Sequence, residues 1–114
     1  MPVTGAHMLL YTSEPDALRD VLRDVFGWSH VDARDGWLIF ALPPAEIAVH
    51  PAEGPSHQIT LMCDDIEATM ADLQTKGIVF SGEPANQGFG IVVMMVLPGN
   101  VEVMLYEPKH PTAI

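Results

Sequence analysis

Two stretches of the sequence carry hydrophobic residues at the three- and four-residue spacing of an amphipathic helix. The apolar positions of the first stretch, with charged residues between them, are Leu18, Val21, Leu22, Val25 and Phe26. The second stretch follows Asp64-Asp65, and its apolar positions are Ile66, Met70 and Leu73. Glycine follows both stretches, at Gly27 and Gly77, where a helix commonly ends. The pattern therefore predicts two helices.

Short apolar runs typical of β-strands flank each predicted helix. One run precedes each helix, at His7 to Tyr11 and at His57 to Leu61. Three runs follow the first helix, at 28–33, 36–42 and 46–50. Three more follow the second helix, at 78–81, 89–97 and 101–106. The chain is thus predicted to contain the order βαβββ twice.

The two halves also repeat in sequence. His7 and His57 are 50 positions apart, and so are Gly27 and Gly77. A chain of 114 residues is too short for two independent cores, so two tandem modules must share one. We expect one α+β domain, with module 1 spanning about 4–52 and module 2 about 55–107.

Composition narrows the classes of partner. The chain is 48% hydrophobic and 18% charged, as in ordinary globular proteins, and its formal net charge is −10. Such acidity opposes binding to nucleic acid or to an anionic membrane, and it attracts a cationic small molecule or a metal ion. A single cysteine, Cys63, forms no internal disulfide, and the N-terminus lacks the features of a signal peptide. We therefore expect a cytoplasmic protein.

The repeat places a histidine and a glutamate at matching positions of both modules. These four residues form one candidate site: His7, Glu46, His57 and Glu102. Strand alternation places Glu46 and His50 on one face of their run, and Glu102 and Tyr106 on one face of the last run. A glutamate on a central strand is costly to bury without a positive partner. Two imidazoles with carboxylates suit Fe, Mn, Co, Ni or Zn.

The chain resembles the vicinal oxygen chelate superfamily, the glyoxalase, bleomycin-resistance and extradiol-dioxygenase group. The resemblance covers nearly the whole chain, and the segments that carry it are 7–11, 25–28, 57–65 and 97–103. It implies tandem modules that form a curved mixed sheet around a cavity, where a divalent metal is chelated by adjacent oxygens of the substrate. The matching ligand positions are His7, His57 and Glu102, with Glu46 as a fourth ligand. His50 shares the strand face of Glu46, so the ligand from that strand could be either residue or neither.

The resemblance implies a metal-dependent lyase, isomerase or extradiol-type dioxygenase. Glu46 and Glu102 would then be catalytic carboxylates able to move a proton, and Tyr106 and His50 would contact the substrate. The five basic residues, at 19, 23, 34, 76 and 109, do not form an evident glutathione-binding set. The resemblance also implies a homodimer, with metal ligands drawn from both subunits.

A metal-free protein that sequesters a cationic drug, as bleomycin-resistance proteins do, is the alternative. The presence of His7, His57 and Glu102 favours the metal-dependent enzyme, whereas the negative net charge favours a protein that sequesters a cationic drug. Met94, Met95 and Met104 could form a soft wall for an apolar ligand. His30 and His110 are expected to be solvated.

Overall fold

The computed structural model describes residues 7–114. Its helices are α1 (Pro15–Asp20), which continues as a π-helical turn at Val21–Val25, and α2 (Ile66–Thr75). Its strands are β1 (His30–Asp32), β2 (Leu38–Phe40), β3 (Thr60–Met62), β4 (Val79–Asn86), β5 (Gly90–Leu97) and β6 (Val101–Pro108). No helix within residues 7–114 has the length and apolar character needed to cross a membrane.

The second half forms a four-stranded sheet of order β3-β6-β5-β4. β3 lies parallel to β6, whereas the β5–β6 and β4–β5 pairs are antiparallel. The turn between β5 and β6 contains Gly99, whose φ of 79° is in the left-handed region, and a Cβ there would collide with the Thr12 hydroxyl. The predicted mixed sheet and the βαβββ order of module 2 are confirmed.

Helix α2 begins where the sequence predicts. The Asp65 side chain accepts a hydrogen bond from the Ala68 backbone N–H at 3.1 Å, which satisfies one of the amides at the start of the helix. A second carboxylate comes from β6, because Glu107 Oε1 accepts the Ile66 N–H at 3.0 Å. The ion pair with Lys109 and the Ile66 bond hold the pKa of Glu107 below its usual range. β6 is therefore tied to the start of α2.

The hydrophobic core lies between the helices and one face of the four-stranded sheet. Ile66, Met95 and Val103 are its most deeply buried side chains, and Leu18 connects α1 to them. The other core members are Leu73, Ile78, Val93, Leu97 and Leu105. The sequence left Met95 either in the core or in a ligand-facing wall, and β5 turns it to the core, where it is 0% exposed.

The first half is less regular than predicted. β1 and β2 form a separate two-stranded antiparallel sheet, and the predicted strands at 7–11 and 46–50 lie outside both sheets. Leu10 still packs against the core, but Ile47 and Val49 are 95% and 96% exposed. Pro43-Pro44 precedes this exposed segment, and prolines have no N–H with which to extend a ladder beside β2.

Two contacts hold the N-terminal segment against the second half. The Thr12 hydroxyl donates to the Pro98 carbonyl at 2.9 Å, and the Gly99 N–H donates to Glu14 Oε2 at 2.8 Å. These bonds join the start of α1 to the β5–β6 turn. The two halves therefore meet through a shared core and this turn, without a common ladder among the described residues.

Candidate functional site

The sheet face opposite the core carries side chains from all four of its strands. Directly paired residues in neighbouring strands point to the same face, so the register gives three rows across the sheet. The rows are Met62–Tyr106–Val92–Ala85, Thr60–Met104–Met94–Ser81 and Glu102–Val96–Val79. We call these eleven residues the open face.

The middle of the open face is apolar and deformable. Met94 and Met104 are direct partners across β5 and β6, and Met62 lies on β3 beside them. Met94 and Met104 are half-buried and Met62 is 37% exposed, so their side chains remain accessible from this side of the sheet. Unbranched thioether side chains adapt to the shape of an apolar partner. The surface suits a flat or irregular organic molecule.

One end of the open face is polar. Glu102 is exposed and belongs to none of the ion pairs formed among residues 7–114. Thr60 lies on the neighbouring strand, and Gln58 Nε2 donates to its hydroxyl at 3.4 Å. A carboxylate and an amide therefore lie at the edge of the apolar floor.

The other end is aromatic. The Phe89 and Tyr106 rings meet edge to face with centroids 6.2 Å apart, and the His110 ring stacks on Tyr106 at 6.1 Å. His110 Nδ1 lies 2.7 Å from the Pro111 carbonyl, which can only accept, so Nδ1 carries the proton. In the neutral ring Nε2 then accepts from the Tyr106 hydroxyl at 3.2 Å. The Tyr106 hydroxyl therefore donates its hydrogen to His110, and the remaining lone pair of the Tyr106 oxygen can accept a hydrogen bond.

Glu46 lies near this aromatic end. Its Oε1 accepts the Ala113 N–H at 2.7 Å, which holds the C-terminal segment against the 43–50 segment. Partial burial raises the pKa of Tyr106, and the nearby Glu46 carboxylate raises it further. The structure thus brings Glu46 close to Tyr106, two residues that the sequence assigned to different roles.

The predicted metal ligands do not come together within one copy of the chain. Among residues 7–114, no three His, Cys, Asp or Glu side chains form a group that could hold a metal ion. Glu102 lies on the open face, and Glu46 is held by the C-terminal segment. A catalytic zinc-type site holds its ion with three protein ligands at bonding distance, so the donor set as arranged in a single copy of residues 7–114 does not form such a site.

The predicted histidines are all exposed. His50 makes a local contact in which its Nδ1 lies 2.9 Å from the Pro51 carbonyl, and His57 precedes β3. His7 lies at a cavity of about 360 Å³ between α1 and β2, on the core side of the molecule. Mainly apolar side chains line this cavity, among them Leu18, Leu22, Trp28, Phe40, Ile59 and Leu61. His7 and the open face are therefore on different sides of the second sheet.

Three residues of the open-face region were missed by sequence reasoning. Gln58 was overlooked because it stands beside the more conspicuous His57. Phe89 was assigned to the start of a strand without any role in the site, and His110 was expected to be solvated although it is half-buried against Tyr106. Two sequence signals could have indicated these residues. Phe89 is an aromatic residue flanked by glycines, and His110 follows Tyr106 by four residues.

The chain superimposes on several solved structures over nearly its whole length. TnmS3, an antibiotic binding protein from Streptomyces sp. CB03234, is 22% identical to this chain and superimposes with a TM-score of 0.69. The match covers 96% of this chain and 99% of that one. The chain has the glyoxalase/bleomycin resistance fold. This confirms the predicted fold class.

Two further structures with this fold carry other functional names. A lactoylglutathione lyase from Agrobacterium tumefaciens is 19% identical, with a TM-score of 0.64 and coverage of 94% of this chain and 96% of that one. A member of the glyoxalase/bleomycin resistance protein/dioxygenase superfamily from Sphaerobacter thermophilus is 18% identical, with a TM-score of 0.64. That match covers 94% of this chain and 99% of that one. No protein-family model and no curated protein matches the sequence. One fold carries several functions, so the function must be argued from the site.

Proposed function

We propose that this chain binds a small organic cation on its open face and acts as a ligand-sequestering protein. The observation that carries this proposal is the register of the second sheet, which aligns three methionines with three valines as one apolar floor. Polar and aromatic groups stand at the two ends of that floor. A mostly apolar surface with a few convergent polar groups is typical of small-molecule sites.

Charge and acceptor chemistry favour a cation. The net charge is −10, and Glu102 and Glu46 lie at opposite ends of the site. The Tyr106 lone pair and the ring faces of Tyr106 and Phe89 also attract positive charge. The name of TnmS3 describes an antibiotic binding protein, and this supports a binding role for the present chain.

A thermal-shift screen with planar cationic aromatic drugs tests the proposal. A ligand present at 100 times its Kd stabilises the native state by about 2.7 kcal/mol. In a domain of this size we expect the Tm to rise by roughly 10 °C. Neutral analogues of the same shape are the control, and we expect smaller shifts with them. If no compound raises the Tm, or if anionic analogues raise it most, the proposal is wrong.

A metal-dependent lyase, isomerase or dioxygenase is the second candidate. Glu102 favours it, because an exposed carboxylate without an ion-pair partner among residues 7–114 is available to a cation. The lactoylglutathione lyase of the same fold also supports an enzymatic role. A metal site would require the chain to assemble, so that His7, Glu46 or His57 of another copy lies beside Glu102. Elemental analysis of the wild type against Glu102→Ala and His57→Ala decides this candidate.

We also propose that the chain forms a two-fold dimer. In the second half, β6 lies between β3 and β5, and the segment that corresponds to β6 in the first half is 46–50. The cavity of about 360 Å³ is lined on one side by residues 7–10 and on the other by 38–42, the two segments that would flank this strand. A second copy can fill the gap with Ile47 and Val49, whose side chains are almost fully exposed.

The double substitution Ile47→Asp/Val49→Asp tests the dimer. We expect the wild type to scatter light as a dimer at micromolar concentration, and the variant to scatter as a monomer, because two buried charges in the gap would be costly. The double substitution Val31→Asp/Ile39→Asp is the matched control, since both residues are exposed on the first sheet, at 64% and 38%, and it introduces the same two changes. A wild-type monomer would contradict the proposal, and so would a variant that stays dimeric.

A further inference from the structure

The residue that faces Glu102 from the neighbouring strand follows from the register of β3 and β6. Each β3 residue pairs with the β6 residue 44 positions later, as in Thr60 with Met104 and Met62 with Tyr106. Continued two residues towards the N-terminus, the same register sets position 58 opposite Glu102. It sets His57 opposite Val101, whose side chain packs against the core.

Side-chain contacts agree with this continuation. Gln58 Nε2 donates to the Thr60 hydroxyl at 3.4 Å, so Gln58 lies on the face to which Thr60 belongs. Ile59, between them, packs against the core together with Leu61. Successive side chains of an extended strand alternate between faces, so His57 falls with Ile59 and Leu61 on the core side.

We propose that Gln58, and not His57, completes the polar end of the open face, and that the Gln58 and Glu102 side chains together bind the ammonium or amino group of the ligand. Gln58 commits an amide hydrogen to Thr60, which leaves its carbonyl oxygen as an acceptor beside the Glu102 carboxylate. Two neighbouring acceptors, one of them charged, match a nitrogen that carries several N–H donors. A neutral amide is a poor substitute for imidazole as a ligand for transition metals. This assignment rests on the proposed binding function and specifies the ligand class.

The placement of the two side chains can be tested without any ligand. In isotopically labelled protein we expect a nuclear Overhauser contact between the Gln58 side-chain amide and the Glu102 Hγ protons. We expect none between the His57 ring protons and Glu102. The reverse pattern would overturn the assignment, whether or not the protein binds small molecules.

Binding of two dyes tests the recognition chemistry. 9-Aminoacridine is cationic at neutral pH and carries an amino group, whereas acridine has the same ring system without that group. We expect Gln58→Ala and Glu102→Ala each to weaken 9-aminoacridine binding about 10-fold and to change acridine binding less than 2-fold. His57→Ala, the adjacent control, should change neither affinity.

The possible failures are distinguishable. If the wild type binds neither dye, the proposed function fails, while the Overhauser contacts still decide the placement. If His57→Ala weakens 9-aminoacridine binding and Gln58→Ala does not, the assignment is wrong although the chain binds ligands. Stoichiometric binding of Zn²⁺ or Ni²⁺ that is lost in His57→Ala and kept in Gln58→Ala would likewise overturn it.

Discussion

Met104→Lys is expected to weaken binding of a cationic aromatic ligand about 100-fold. Met104 is at the centre of the open face, directly paired with Thr60 on one side and with Met94 on the other. The substitution removes apolar contact area and places a positive charge beneath the ligand, where both desolvation and repulsion oppose binding. Titration calorimetry with the tightest ligand from the thermal-shift screen measures the loss.

Val31→Lys is the control for this variant. Val31 is 64% exposed on β1, outside the second sheet, and its substitution makes the same change in net charge. We expect the control to bind within about 2-fold of the wild type. Equal weakening in both variants would show that net charge alone governs affinity. Unchanged binding in Met104→Lys would show that the ligand does not contact the open face.

Met95→Ala is expected to lower the free energy of unfolding by about 2–5 kcal/mol and the Tm by roughly 10–20 °C. Met95 is fully buried in the core, paired with Val103 on β6 and with Phe80 on β4. Truncation leaves a cavity that these neighbours fill only in part. Urea denaturation followed by circular dichroism measures the change.

The neighbouring Met94→Ala separates core packing from ligand contact. Met94 directly precedes Met95 on β5 but points to the open face, where it is only half-buried. We expect this variant to lose less than about 1.5 kcal/mol of stability and to bind the ligand less tightly. If Met94→Ala is as destabilising as Met95→Ala, the assignment of faces along β5 is wrong.

Most of the second half could be predicted from its sequence. The apolar spacing of Ile66, Met70 and Leu73 and the Asp65 cap define α2, and alternation along 101–106 correctly separates Val103 from Glu102 and Tyr106. These signals are local, because they depend on helical spacing, capping and the two-residue period of a strand. The tandem βαβββ order was predicted from the same kind of signal, whereas the curved sheet around a cavity was predicted from the resemblance to a known superfamily.

The first half and the site could be predicted only in part. Whether the 46–50 run joins a sheet depends on a pairing partner, and the sequence does not specify where that partner lies. The faces of β3 depend on its register with β6, and a shift of one residue exchanges His57 for Gln58. His110 reaches Tyr106 through the path of the C-terminal segment, which has no periodic signal. The module boundaries and the four-residue metal set remain predictions.

Methyl NMR tests ligand binding on the open face most directly. The protein is labelled with ¹³C at its methionine methyl groups and titrated with 9-aminoacridine. Three of the probes, Met62, Met94 and Met104, lie on the open face, whereas Met95 is in the core and Met70 packs against it from α2. We expect saturable shifts at the three open-face methyl groups and small shifts at the other two. Shifts at Met70 and Met95 with none at Met104, or no shift at any methionine, would contradict this expectation.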